Sequence, residues 1–181
     1  DSSDYIVQYL GLDVSLNAVS TNSSVYTNSL GNYSLFTNQT GTFGLTPNLE
    51  NPTYFNVNPN PASVSVPVID NSITTQNFCI TANGVHPDLE IVIAPITPAK
   101  PGFDAVYKIV YKNKGNQTVD GYVNFYYNDA LLDFVSSSVV PVNNSVGTMN
   151  WVFPGLLPFQ TGSILVTLNV NSPMETPAVN N

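Results

Sequence analysis

Residues 104–112 read Asp-Ala-Val-Tyr-Lys-Ile-Val-Tyr-Lys, and this stretch decides the fold class. Its side chains alternate with a period of two, the pattern of a β-strand that turns one face toward a core. One face carries Val106, Lys108, Val110 and Lys112, and the other carries Tyr107, Ile109 and Tyr111. The same period, rich in Val, Ile, Thr, Tyr and Phe, recurs on both sides of this strand.

The rest of the chain consists of short alternating runs that are interrupted every few residues by one of 11 Gly or 14 Pro. No window of ten or more residues has the apolar spacing and the capped start of a helix. The predicted strands are Tyr5–Leu10, Asp13–Val19, Asn32–Phe36, Thr40–Thr46, Ser63–Val68, Asn77–Thr81, Leu89–Ala94, Asp104–Lys112, Val119–Tyr127, Leu131–Ser136, Thr148–Phe153 and Ser163–Val170. This series predicts an all-β fold made of two tandem immunoglobulin-like or prealbumin-like antiparallel β-sandwiches.

The composition is unusually poor in charge, at 9% of 181 residues with a formal net charge of −8. Four basic residues against twelve acidic ones cannot form the positive surface that nucleic acid or an anionic membrane requires. No apolar run reaches the roughly 18 residues of a membrane helix, so membrane insertion is not expected. A surface rich in Asn, Ser, Thr and Tyr favours an extracellular or cell-surface location.

The division into domains is predicted near residues 83–87, Asn-Gly-Val-His-Pro. All four Lys lie within 100–114, and the first half is richer in Asn and Ser, so composition changes across this point. We expect domains at 1–86 and 87–181. The Pro-rich stretch 95–101 is a second candidate linker, although a stiff loop inside the second domain is the favoured interpretation.

The first half resembles the prealbumin-like modules, which include collagen-adhesin B-type and carboxypeptidase regulatory-like domains. The resemblance rests on Asn-Ser-Leu-Gly-Asn-Tyr-Ser-Leu-Phe at 28–36 and Gly-Thr-Phe-Gly-Leu-Thr at 41–46. In this pattern Gly31 takes a turn, Tyr33 packs inward, and Phe43 packs beside it across a hairpin. The resemblance implies that the first domain lacks its first strand here.

The second half is similar to a conserved repeat-type sandwich of large secreted proteins of the Bacteroidota, which are typically exported by the type IX secretion system. The motifs are the stretch at 98–116, Met-Asn-Trp-Val-Phe at 149–153, Leu-Leu-Pro-Phe at 156–159, and Leu-Asn-Val-Asn-Ser-Pro at 168–173. The resemblance implies an immunoglobulin-like sandwich that lacks its last strands, in a portion of a larger protein. It implies no catalytic residues.

Two candidate sites depend on residues expected outside the chain. Asp1 and Asp4 are candidate calcium ligands, because hard cations take several oxygen ligands and the resembled family's acidic loop would supply the others; the alternative is a solvated turn. Cys79 is interpreted as a buried free thiol in the chain as given. In the full-length protein it is a candidate disulfide partner for a Cys upstream of Asp1.

Candidate catalytic residues have simpler structural interpretations. His86 would need a nucleophile or water and an orienting acid, and only Asp88 and Glu90 lie close in sequence, so a structural His is favoured. The carboxylates Asp104, Asp120, Asp129 and Asp133 would suit a glycosidase only across a cleft, and Asp is common at turns. The chain is therefore expected not to be an enzyme.

Three further patterns are weighed in the same way. Lys108 and Lys112 could form a Lys–Asn isopeptide cross-link only if buried, and a solvated Lys face that protects a sheet edge is the alternative. The aromatic residues of the second half have two interpretations, a platform that stacks on sugars or the packing of a core, and the core is favoured. These residues are Trp151, Phe153, Phe159, Tyr122, Tyr126 and Tyr127. Glycosylation sequons begin at Asn22, Asn32, Asn38, Asn116 and Asn143.

The function expected from these patterns is a non-catalytic spacer segment of a large secreted or cell-surface bacterial protein, with adhesion as one role. Its partners would be neighbouring domains of the same polypeptide, other surface proteins or glycans. One alternative is a pair of carbohydrate-binding modules of a secreted enzyme. The other is a surface-filament subunit whose incomplete sheet is completed by strand exchange.

Overall fold

The computed structural model describes residues 13–17, 22–28 and 30–175, and the side chains of 13–17 and 22 are outside that description. The predicted strand Tyr5–Leu10 and the candidate ligands Asp1 and Asp4 lie outside the described residues. The strands are β1 Asp13–Asn17, β2 Asn22–Tyr26, β3 Gly41–Asn48, β4 Phe55–Asn58, β5 Ala62–Val66, β6 Cys79–Ala82, β7 Leu89–Pro95, β8 Asp104–Asn113, β9 Val119–Tyr126, β10 Leu132–Ser137, β11 Asn143–Ser145, β12 Thr148–Leu156 and β13 Thr161–Val170. The predicted all-β, antiparallel fold class is confirmed.

Two compact units make up the fold. The first contains residues 1–88 together with 114–117 and 158–160, and the second contains 89–113, 118–157 and 161–181. Two short segments from the second half of the sequence therefore belong to the first unit. The identification of each unit with a module family stays a prediction.

The first unit holds a sheet of order β2-β1-β3-β5 and a two-stranded pair of β4 and β6, all antiparallel. Its buried side chains form two groups. One contains Phe43, Leu45 and Ala62, and the other contains Phe55, Ile80 and Phe159. Leu35 and Phe78 pack against both groups and so join them into a continuous apolar interior.

The predicted strand Asn32–Phe36 is wrong, because residues 32–37 form no sheet ladder. The turn before it is built by Asn28, whose Oδ1 accepts hydrogen bonds from the N–H groups of Leu30 and Asn32. Gly31 has the positive φ of 75° that the expected turn requires. The alternation of Tyr33 and Leu35 reflects their packing on the core rather than strand pairing.

Sequence reasoning missed three strands, β2, β4 and β11, whose sequences are Asn-Ser-Ser-Val-Tyr, Phe-Asn-Val-Asn and Asn-Asn-Ser. Asn is depleted in strands, and Asn and Ser together make up at least half of each of these segments. Their pairing is set by neighbouring strands, which is tertiary information.

The second unit packs a sheet of order β10-β13-β8-β7 against a sheet of order β11-β12-β9. The buried core between them contains Ile109, Val123, Met149, Trp151, Phe153, Leu156, Ile164, Val166 and Leu168. The quoted strand, β8, has the predicted faces, with Ile109 buried and Lys108 exposed. The Pro-rich stretch 95–101 joins β7 to β8 inside this unit, as favoured, so it does not link the two units.

Glycines make room for the two stacked rings of this core. The rings of Tyr111 and Phe153 stack with centroids 4.4 Å apart. Phe153 lies opposite Gly121 in the β12–β9 register, and Tyr111 lies opposite Gly162 in the β13–β8 register. A Cβ at either glycine would overlap the facing ring. Each ring therefore occupies the space that a side chain on the neighbouring strand would need.

Candidate functional site

The most elaborate polar cluster among the described residues surrounds Asn116, in the loop 114–117 that the first unit incorporates. Asn116 is only 6% exposed. Its Nδ2 donates to the carbonyl of Tyr54 at 2.7 Å and lies 3.2–3.3 Å from the carbonyls of Gly84 and Asn83. Its Oδ1 accepts from the backbone N–H of His86 at 2.8 Å. One amide therefore satisfies backbone groups of two separate loops.

The backbone of the same loop is tied to the chain just before β7. The N–H of Asn116 donates to the carbonyl of His86, and the N–H groups of Lys114 and Gly115 both donate to the carbonyl of Asp88. A Cβ at Gly115 would overlap the carbonyl oxygen of His86 and lie 2.6 Å from the nitrogen of Asp88. Glycine is required here because two backbones approach closely.

Side chains around the loop 114–117 also form hydrogen bonds and an ion pair with it. Asn51 Nδ2 donates to the carbonyl of Lys114 at 3.2 Å and lies 3.5 Å from Asp88 Oδ2. Lys114 forms an ion pair with Glu50. Donors and acceptors in this cluster are directed at one another, so the arrangement anchors a loop.

His86, the candidate base, belongs to this cluster. Its ring stacks on Tyr54 with centroids 4.4 Å apart and planes 4° apart, and its backbone N–H is bound by Asn116. These contacts give His86 a packing role at the end of the first unit. The nearby acid Asp88 has its carboxylate 3.5 Å from Asn51 Nδ2, and no described contact joins it to the His86 ring.

The candidate carboxylates are distributed over the second unit. Asp104 and Asp133 lie on one outer sheet face, on strands that both pair with β13 at Asn169, whose Nδ2 donates to Asp104 Oδ1 at 2.7 Å. Asp120 Oδ1 accepts from the N–H of Gly155 at 2.7 Å, where β12 is irregular in register. Asp129 is exposed in the turn after β9. Asp104 and Asp120 thus stabilise strand neighbours.

The aromatic set divides into core and surface. Trp151 is 2% exposed, and its Nε1 donates to the carbonyl of Val139 at 2.8 Å. Phe153 and Phe159 are also buried, so these three rings cannot form a sugar platform. Tyr122 and Tyr126, in contrast, are 67% and 70% exposed on the outer face of β9, so the favoured core interpretation is wrong for these two rings. Tyr127 is partly buried and packs against the core.

Cys79 is exposed on β6, so the expectation of a buried thiol is wrong. The neighbours Phe78 and Ile80 carry the apolar contacts of this strand, and the thiol lies on its other face. The disulfide to a Cys outside the chain stays a prediction.

The structure also gives the exposure of the candidate cross-linking lysines and of the sequon asparagines. Lys108 is exposed and Lys112 half-buried on the outer face of β8, so Lys108 does not meet the burial that a cross-link needs. Asn32, Asn38 and Asn143 are exposed, and the side chain of Asn22 is outside the described residues. Asn116 is the exception among the described sequons, because its amide nitrogen is buried and hydrogen-bonded.

Sequence reasoning missed the buried asparagines. The sequence presents Asn116 as a sequon, and no pattern in it singles out Asn113, which is fully buried and donates to the carbonyl of Leu156 at 2.8 Å. The only available signal was the turn Lys-Gly-Asn at 114–116 between two strong strands.

Comparisons with known proteins found no matching family model, no matching curated protein and no matching solved structure. Among the described residues, no group of three or more His, Cys, Asp and Glu side chains is placed to hold a metal ion. No helix in the described part is long and apolar enough to cross a membrane.

Proposed function

We propose that this chain is a structural, non-catalytic segment of a secreted or cell-surface bacterial protein. The observation that carries the proposal is that three of the candidate catalytic and binding side chains pack or form hydrogen bonds within the fold. His86 stacks on Tyr54, Trp151 fills a core, and the carboxylate of Asp120 holds a backbone N–H. These three side chains are engaged in supporting loops, strands and a core.

The surface chemistry agrees with this role. With 9% charged residues, the chain relies on hydroxyl and amide groups for contact with water. The resemblance to prealbumin-like modules and to a repeat-type sandwich of type IX-secreted proteins suggests modular proteins that extend from the cell. In such a protein the segment would space a distal region from the surface.

Small-angle X-ray scattering on the purified chain tests the spacer role. A single compact globule of this length has a radius of gyration of about 16 Å. We expect a clearly larger value and a distance distribution with an extended tail. A value near that of a compact globule would count against a spacer.

A second candidate function, glycan binding, is favoured by one face of the second unit. Exposed Tyr122 and Tyr126 lie about 13 Å apart along β9, as residues four apart on a strand do. Asn124 lies between them and accepts a 2.6 Å hydrogen bond from Asn150. Rings that flank amides on an open sheet can stack on sugar rings and bind hydroxyl groups.

A glycan array on the wild-type chain and on the Tyr122→Ser/Tyr126→Ser variant tests this candidate. Binding that is lost in the variant, with the circular dichroism spectrum retained, would support it. The matched control is Tyr26→Ser, which removes a similarly exposed Tyr, 68% exposed, from a strand of the first unit. Equal binding by wild type and the double variant would exclude this face.

A further inference from the structure

The edge strand β7 presents an unusually apolar surface. Its residues 89–95 are Leu-Glu-Ile-Val-Ile-Ala-Pro, and Leu89, Ile91, Val92 and Ile93 are each 46–57% exposed. Among the described strands, β7 pairs only with β8. Natural sheets usually protect an edge with charges, prolines or bulges along its length. Here Glu90 and Pro95 lie near the ends and the centre, 91–93, is unprotected.

The hydrogen-bonding parity of this edge follows from its register with β8. Ile96 N–H donates to the carbonyl of Val106, just beyond the paired residues Pro95 and Tyr107. Hydrogen-bonded and non-hydrogen-bonded pairs alternate along an antiparallel ladder. The even-numbered residues of β7 therefore direct their backbone groups at β8. Leu89, Ile91 and Ile93 direct their N–H and C=O groups toward the open side.

We propose that β7 is a self-association edge, which pairs antiparallel with β7 of a second copy of this chain. In this arrangement Ile91 of one copy lies opposite Ile93 of the other, and the two-fold axis passes between the two Val92 residues. The two four-stranded sheets then form one continuous sheet of eight strands. A two-fold interface of this type uses the same surface on both copies.

Side-chain complementarity supports a second copy as the occupant. Val92 lies opposite Val110 on β8, so the central row on the outer face becomes four valines, two from each copy. On the inner face, Ile91 and Ile93 of one copy meet Ile93 and Ile91 of the other. Cross-strand pairs of β-branched residues stabilise a sheet.

Charge complementarity points the same way. Glu90 lies opposite Lys112, and Ala94 lies opposite Lys108. The proposed register places Glu90 of one copy next to Ala94 of the second copy, and Lys108 of the second copy lies one strand further along the same row. Glu90 then has Lys112 of its own copy as a direct neighbour on one side and Lys108 of the second copy two strands away on the other side. An in-register parallel pairing would instead place the two Glu90 carboxylates side by side, which is unfavourable.

Disulfide trapping tests this register. The two Val92 residues would form a non-hydrogen-bonded pair with Cα atoms about 4.5 Å apart, which falls in the range that a disulfide spans. In a Cys79→Ser background, we expect Val92→Cys to form covalent dimers under mild oxidation. The matched control is Val152→Cys in the same background, since Val152 is 57% exposed on an outer sheet face. Cross-linking no faster than in the control would overturn the proposal.

Sedimentation equilibrium of the full chain supplies an independent test. We expect a monomer–dimer equilibrium that Val92→Lys weakens about tenfold or more, since like charges directly opposite each other on paired strands are destabilising. Val152→Lys should leave the equilibrium unchanged. A wild-type chain that stays monomeric at several hundred micromolar, or a dimer equally sensitive to both substitutions, would overturn the proposal. The inference goes beyond the proposed function and does not depend on it.

Discussion

Replacement of Asn116 by Ala is the sharpest test of how the loop 114–117 is held. The change removes one side chain with two functions: donation to the carbonyl of Tyr54 at 2.7 Å and acceptance from the N–H of His86 at 2.8 Å. Both backbone groups then lose a side-chain partner in a region where Asn116 itself is 6% exposed.

The expected cost follows from those two groups. A buried polar group left without its partner costs about 1–3 kcal/mol. The N–H of His86 becomes such a group, whereas the carbonyl of Tyr54 keeps the 2.8 Å hydrogen bond from the N–H of Asn83, so we expect a loss of about 1–3 kcal/mol in the free energy of unfolding of the first unit. In a unit of this size that lowers Tm by about 5 °C or more.

Differential scanning calorimetry and hydrogen exchange measure the effect. The calorimetric transition of the first unit should move, and the amide of His86 should exchange faster, because its acceptor is gone. The matched control is Asn32→Ala: Asn32 also begins a sequon in the first unit, but it is exposed. Asn116→Asp keeps the acceptor and loses the donor, and it should be at least as destabilising as Ala, because a carboxylate would face the carbonyl groups.

The reasoning would be refuted by a small effect. Surface substitutions usually change stability by less than about 0.5 kcal/mol. If Asn116→Ala stayed within that limit, as Asn32→Ala should, the loop would be held by its backbone hydrogen bonds alone.

Three further predictions concern other parts of the chain. Gly121→Ala should destabilise the second unit by about 1–3 kcal/mol in urea unfolding, because its Cβ overlaps the Phe153 ring; unchanged stability would show that the ring moves freely. Burial raises the pKa of the Tyr33 hydroxyl above its ordinary 10.0, so its contribution to stability is complete below that pH and is lost as pH rises beyond it. Tyr33→Phe should flatten the alkaline limb of the stability curve and cost about 1 kcal/mol at pH 7, through the lost 2.7 Å hydrogen bond to the carbonyl of Gln76; an unchanged alkaline limb would contradict this. Native Cys79 should react with a thiol reagent about as fast as it does in the unfolded chain, and strong protection would contradict its exposure.

The strands that sequence reasoning located have strong alternation of large apolar residues, as in β8 and β13. The missed strands are rich in Asn and Ser, and the wrong one, Asn32–Phe36, alternates without pairing. In that segment Tyr33 and Leu35 pack on the core, while Asn28 binds the backbone of the preceding turn. Periodicity reports which side chains face a core, and the existence of a ladder depends on a neighbouring strand.

The candidate site shows the same limit. Burial of Trp151 was expected from its place in an alternating strand, and it is confirmed. The exposure of Cys79 was not expected. Alternation separates the two faces of a strand, but it does not say which face is covered. Asn116 looked like a surface sequon, since an Asn after Gly in a turn has no local feature that marks it as buried.

By itself, the sequence determined the antiparallel all-β class and the faces of its strongest strands. These properties depend on side-chain period, which is a local property of each segment. Only the tertiary structure placed loop 114–117 within the first unit, brought Gly121 and Gly162 under two stacked rings, and left the apolar centre of β7 on an edge where β8 is its only partner among the described strands. Those features depend on which distant segments become neighbours, and no single segment encodes that.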